Sequence, residues 1–128
     1  MKLEYISLNE RLWERFPVLT EPRYTQLIGG IEAGPHIVYG VIFNRYLVDL
    51  AHGADLLAKA RAASFINDMA VAQDERVTDM LTTEVLPTLL ENQAMVDAYW
   101  PLLGMAARRR LRLMEPRFSR TVEIPSSE

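Results

Sequence analysis

The sequence predicts an all-α fold: a single-domain bundle of five or six helices around a central apolar helix at about residues 35–51. Three observations carry that expectation. The segment Pro35–Leu50, PHIVYGVIFNRYLVDL, is apolar on nearly every side of a helix. A helix that is hydrophobic all round is buried by other helices. Downstream, apolar residues recur at helical spacing, first at Ala58, Ala62, Phe65, Ile66 and Met69, then at Val77, Met80, Leu81 and Val85. Prolines and glycines punctuate these stretches rather than β-type alternation. At 128 residues the chain fits one domain with one core. A domain of this size buries roughly two thirds of its unfolded surface and needs neither disulfide nor metal to fold.

The elements follow in order. Leu8, Leu12 and Phe16 are four apart and share a face, which predicts a first helix from about Ser7 to Phe16, stopped by Pro17. Residues 17–36 hold three prolines and three glycines and read as a long irregular loop. Such a loop is either functional or a lid in which Leu27, Ile28 and Ile31 pack over the helices. Pro35 suits the first turn of the central helix, where a missing N–H costs nothing. His52-Gly53 ends that helix, by a histidine contact with the negative helix end and a glycine cap. A third helix runs from about Asp55 to Ala72, and Asp74 caps a fourth, with Glu75 in its first turn. A HEAT-like pairing of these two helices is one arrangement open to them. Pro87 interrupts the fourth helix, so Leu86, Leu89 and Leu90 face a different neighbour than Val77 and Leu81. A fifth helix at about Gln93–Trp100 and a sixth opened by Pro101, with Leu103, Ala107, Leu111 and Met114 inside, complete a domain over 1–115. Residues 116–128 read as a partly disordered tail, with a short strand possible only at TVEI, 121–124.

Composition removes several function classes. With no cysteine there are no disulfides, thiolate metal sites or cysteine nucleophiles. No apolar run reaches the ~18 residues of a membrane helix, and Glu10, Arg11, Glu14 and Arg15 break any signal-peptide pattern. A cytoplasmic protein without membrane contact is expected. The net charge of −3 is unevenly spread. Residues 1–31 balance, residues 32–97 carry ten acids against four bases, and residues 98–128 carry three acids against six bases. The acidic body is either ordinary solvated surface or a face for a basic partner.

Candidate chemistry is sparse. The two histidines, His36 and His52, lie at opposite ends of one helix, ~24 Å apart at ~1.5 Å per residue, and cannot share a metal. Gly29, Gly30 and Gly34 lack the spacing of a phosphate loop. No cofactor, metal or catalytic set is expected. Arg108–Arg110 and Arg112 form a basic cluster, yet no nucleic-acid motif accompanies it. Tyr99-Trp100 is core or, if exposed, an interface anchor. Asp74, Glu75 and Asp79 fall on the outer side of the fourth helix. Glu84 falls on its inner side and needs a partner, such as Arg45, Arg61 or water at the proline bend, unless it lines a groove.

The segment PHIVYGVIFNRYL resembles a pattern in a family of small helical bacterial proteins, where Pro-His precedes an aromatic-Gly and an aromatic-Leu pair. Phe65-Ile66, Asp74–Val77, Val85-Leu86, Leu89-Leu90-Glu91 and Leu103-Gly104 extend the likeness over about residues 12–114, and Pro87 departs from it. Compact, acidic, cysteine-free helical proteins of this kind look like immunity proteins encoded beside bacterial toxins. The resemblance implies a non-enzymatic protein that occludes a cognate toxin with a basic surface. The expected contact residues are Asp74, Glu75, Asp79, Glu84 and Glu91, with the 20–34 loop as a second contact and the free protein a monomer or weak homodimer. Two other readings stay open. One is a helical regulatory or structural module, homodimeric through Tyr99–Leu103 or the central helix. The other is an enzyme or small-ligand binder with a pocket beside His36 and Tyr39.

Overall fold

The computed structural model describes residues 2–30, 32–117 and 122–125. It is 75% helical, and no strand occurs among the described residues. A 3-10 turn at Tyr5–Ser7 leads into α1, Leu8–Arg15, whose Leu8 and Leu12 are buried together with Phe16 just beyond it. Residues 17–30 are more ordered than a proline- and glycine-rich loop suggests. Pro17 and Pro22 each open a short helix, a 3-10 turn at Pro17–Thr20 and α2 at Pro22–Thr25, because their fixed φ suits a first turn. Leu19 and Tyr24 anchor this stretch in the core. The chain then reverses through Gly29 and Gly30, whose φ of +77° and +139° glycine alone adopts freely. In the expected apolar lid, Ile28 packs against the core, Leu27 stays 43% exposed, and Ile31 lies outside the described residues.

The central helix, α3, is continuous but not uniform. It starts as an α turn at Pro35–Ile37, widens into a π-helix over Val38–Phe43 and returns to α over Asn44–Ala51. Val38, Tyr39, Ile42, Phe43 and Leu47 are buried, but Ile37 is 52% and Val41 39% exposed. The expectation of burial on all sides is therefore corrected. Its neighbours cover one broad face, and an apolar strip remains in solvent. At its end the His52 Nδ1–H donates to the Val48 carbonyl at 2.9 Å, whereas Gly53 does not take the left-handed cap conformation. The histidine ring closes the helix together with the Gly53 N–H, which donates to the Leu50 carbonyl at 3.1 Å.

Helix α4, Leu56–Ala70, is capped by the Asp55 carboxylate, which accepts the Ala58 N–H, and buries Ala62, Ala63, Phe65, Ile66 and Met69. Helix α5 repeats the construction of α3: α over Glu75–Met80, π over Leu81–Val85, α over Leu86–Leu89. Pro87 has no N–H for the carbonyl four residues back, and the π segment just before it takes up that mismatch. Helix α5 touches α3, α4 and α6, and Leu86, Leu89 and Leu90 are all buried. Helix α6, Gln93–Tyr99, is capped by Asn92 and runs into a 3-10 turn at Trp100–Leu102. Helix α7, Met105–Met114, packs Ala107 and Leu111 inward. No helix among the described residues is long and apolar enough to cross a membrane.

Part of the expected tail belongs to the fold. Val122 is buried and Ile124 packs against the core. Gln93 stands in for a neighbouring strand: it accepts the Glu123 N–H at 2.7 Å and donates to the Glu123 carbonyl at 3.0 Å. Of the strand expected at 121–124, Thr121 lies outside the described residues, as do residues 126–128 placed in a disordered end.

The core centres on aromatic rings. Phe16, Tyr39, Phe43 and Phe65 sit with ring centroids 5.7–6.3 Å apart, mostly in tilted or edge-on pairs. The buried hydroxyls are satisfied by backbone, Tyr39 donating to Leu8 and Tyr99 to Leu47, and burial pushes both phenol pKa values upward. Burial and the hydrogen bond to Asp49 push Tyr24 up to about 12.

Adjacent residues on α3 therefore differ sharply in what they support. Ile42→Ala removes a fully buried side chain and is expected to cost ~2–5 kcal/mol, while Val41→Ala costs well under ~1 kcal/mol. Urea unfolding of the two variants checks this; equal losses would contradict the exposed face.

Candidate functional site

The exposed side of α3 forms the floor of a groove of about 320 Å³. Gly40, Val41, Asn44 and Val48 lie along it, Leu27 stands on one side, and Thr88 and Glu91 at the end of α5 stand on the other. Arg45 also borders it, but its guanidinium is held by Asp49 at 3.1 Å.

Close contact between the two π segments places these walls. Asn44 fastens them: its Nδ2 donates to the Gly40 carbonyl at 3.0 Å and to the Glu84 carbonyl of α5 at 2.7 Å. Its Oδ1 is buried and has no protein partner. A Cβ at Gly40 would stand 2.9 Å from Glu84 Oε1, so glycine here leaves the Glu84 carboxylate its place beside α3. One turn earlier His36 Nδ1 meets Glu84 Oε2 at 3.0 Å. With the carboxylate as acceptor, Nδ1 is the donor of this hydrogen bond. The His36 side chain is half exposed, and the Tyr5 ring lies 6.1 Å from it. A shallow hollow lined by Tyr5, Ile6, Asn9, Pro35 and Arg76 adjoins this end.

The five acids expected to bind a partner separate into two groups. Asp74 is engaged inside the fold. It caps α5 through the Arg76 N–H, accepts the Tyr5 N–H at 2.9 Å and grips the Arg76 guanidinium at 3.1 and 3.2 Å. The Arg76 side chain first, and the Tyr5 N–H second, hold its carboxyl at about 2, below the usual aspartate range. Glu84 is likewise engaged, with His36 rather than with Arg45 or Arg61. Glu75, Asp79 and Glu91 are exposed and pair with no cation among the described residues. Glu91 stands in the groove wall; Glu75 and Asp79 lie one turn apart on α5.

The basic cluster of α7 is largely absorbed by packing. Arg108 donates twice to the Trp100 carbonyl and stacks on its ring, Arg110 reaches Thr82, and Arg112 donates to the Pro125 carbonyl and also lies over the Trp100 ring. Of the segment expected to offer a dimer contact, Tyr99, Trp100 and Leu103 are buried and Pro101 and Leu102 are exposed. No group of three or more His, Asp or Glu side chains able to hold a metal occurs among the described residues.

The groove itself was not anticipated, although Ile37, Val41, Asn44 and Val48 already stand at one-face spacing in the sequence. Asn44 also escaped notice, because a lone asparagine in an apolar helix gives no sign of which carbonyls it serves. In comparisons with known proteins, no family model, curated protein or solved structure matches the chain.

Asp74 makes the acid limb of stability readable. Its depressed folded pKa means its contribution is full above the ordinary aspartate range of ~4 and is lost as pH falls towards about 2. Asp74→Asn keeps a capping oxygen but removes the charge. It is expected to be less stable at neutral pH and to lose less stability on acidification between those limits. Urea midpoints across that range check it, and an acid limb identical to wild type would refute the assignment.

Proposed function

We propose that this is a non-catalytic binding protein of the immunity type, which neutralises a cognate toxin in the cytoplasm by direct occlusion. The observation that supports it most is the way its acids are paired. Asp74 and Glu84 are held by internal partners, while Glu75, Asp79 and Glu91 keep exposed carboxylates without a cation among the described residues. They lie in the stretch 32–97, where ten acids face four bases. Free carboxylates on a rigid helical frame attract a basic surface and speed encounter with it, with little reorganisation needed on binding. The likeness of PHIVYGVIFNRYL to small helical bacterial proteins points the same way.

Light scattering of the protein alone and with the product of the adjacent reading frame tests this reading. A monomer that passes into a 1:1 complex, with loss of the partner's toxicity, supports it. A stable homodimer indifferent to that product supports the regulatory-module alternative instead.

The surface is tested by the triple change Glu75→Lys, Asp79→Lys and Glu91→Lys. Association with a basic partner at low salt is expected to slow by ~10-fold or more, with a smaller effect on dissociation. Asp74 is left out because its reversal would unfasten α5 from Tyr5 and Arg76. Unchanged association kinetics would remove this surface from the interface.

A further inference from the structure

We infer that the groove on α3 seats an apolar helical segment of the partner that carries a lysine or arginine on its docking face. The inference rests on the protein-binding reading above and assigns it a place and a chemistry.

Shape and burial come first. Ile37 and Val41 are 52% and 39% exposed on successive turns of α3, and Leu27 is 43% exposed across the groove from Val41. Leu27, Val41 and Val48 line one depression, and Ile37 extends the exposed apolar strip one turn beyond it. Contiguous apolar surface with a polar rim marks a contact site on a soluble protein. Ile37, Val41, Asn44 and Val48 follow the i, i+4, i+7, i+11 seam by which one helix receives another.

The polar groups fix the occupant's charge. Arg45 is neutralised by Asp49, which also accepts the Tyr24 hydroxyl. Glu91 in the wall has no cation among the described residues, whereas the Glu84 carboxylate beside Gly40 is already paired with His36. Asn44 gives both of its donated hydrogen bonds to carbonyls, and its Oδ1 is buried away from an occupant of the groove. Of the charged groups lining the depression, Glu91 is the one left without a partner among the described residues. An ammonium or guanidinium pairs with it, and the aliphatic stem lies on Leu27 and Val41. A carboxylate at the same place would face Glu91 across an apolar surface, which repels it.

The test uses the full 15N-labelled chain and synthetic capped helices, apolar on one face and identical except for one central residue of that face: arginine, lysine, glutamine or glutamate. The arginine and lysine helices are expected to shift the amide signals of Gly40, Val41, Asn44 and Val48. They should bind at least ~10-fold more tightly than the glutamate helix, a difference that Glu91→Gln reduces. Shifts at the groove with no preference for the cation overturn the charge assignment. Shifts confined to other surfaces, or none, overturn the groove. Val41→Asp, an exposed change whose fold is checked by circular dichroism, separates this inference from the reading beneath it. Loss of the complex with the toxin supports the groove; retention of that complex overturns the groove and leaves the immunity reading standing.

Discussion

Two hydrogen bonds from one side chain hold the arrangement on which the rest depends. Asn44 Nδ2 joins the carbonyl of Gly40 in its own helix to that of Glu84 in α5, at 3.0 and 2.7 Å. Both carbonyls belong to π segments, where the wider turn departs from the regular α ladder. A buried carbonyl without a donor is costly, so one amide serving two of them ties the helices together at the point where each is irregular. Gly40 leaves the Glu84 carboxylate its place beside α3, and Pro87 accounts for the irregularity of α5. The His36–Glu84 pair closes the same seam one turn above.

The seam decides what is inside and what is outside. With α5 fixed beside α3, Tyr39 and Phe43 turn into the aromatic cluster with Phe16 and Phe65, and Ile37 and Val41 are left facing solvent. The same placement brings Glu91 to the groove wall. Burial of one face and exposure of the other are two results of a single packing choice, which is why a strongly apolar helix can be the centre of the core and also line a surface groove. The charges follow a similar division. Asp74, Asp49 and Glu84 complete internal contacts, and Glu75, Asp79 and Glu91 stay exposed without a cation among the described residues.

The helices were legible because their inner faces repeat at helical period: Ala62, Phe65, Ile66 and Met69 in α4, and Val77, Met80, Leu81 and Val85 in α5, are all buried as their spacing requires. The caps Asp55, Asp74 and Asn92 are local signals, and Asp55 and Asp74 were readable at the helix starts they occupy. The π segments were not readable, since a one-residue widening barely changes an apolar pattern and depends on a neighbour's carbonyls. Exposure of Ile37 and Val41 was missed for a related reason: hydrophobicity shows what prefers burial, not how many neighbours arrive to bury it. Docking of Val122 and Ile124 rests on Gln93, almost thirty residues away, a pairing that no local pattern announces.

The claim that one amide couples two helices is tested most directly by hydrogen exchange in Asn44→Ala. Backbone amides of Val38–Phe43 and of Leu81–Val85 should lose protection together, while those of α7, which packs chiefly on α4 and meets the seam only through Arg110 and Thr82, keep theirs relative to global stability. Loss confined to α3, or equal loss in every helix, would contradict the account.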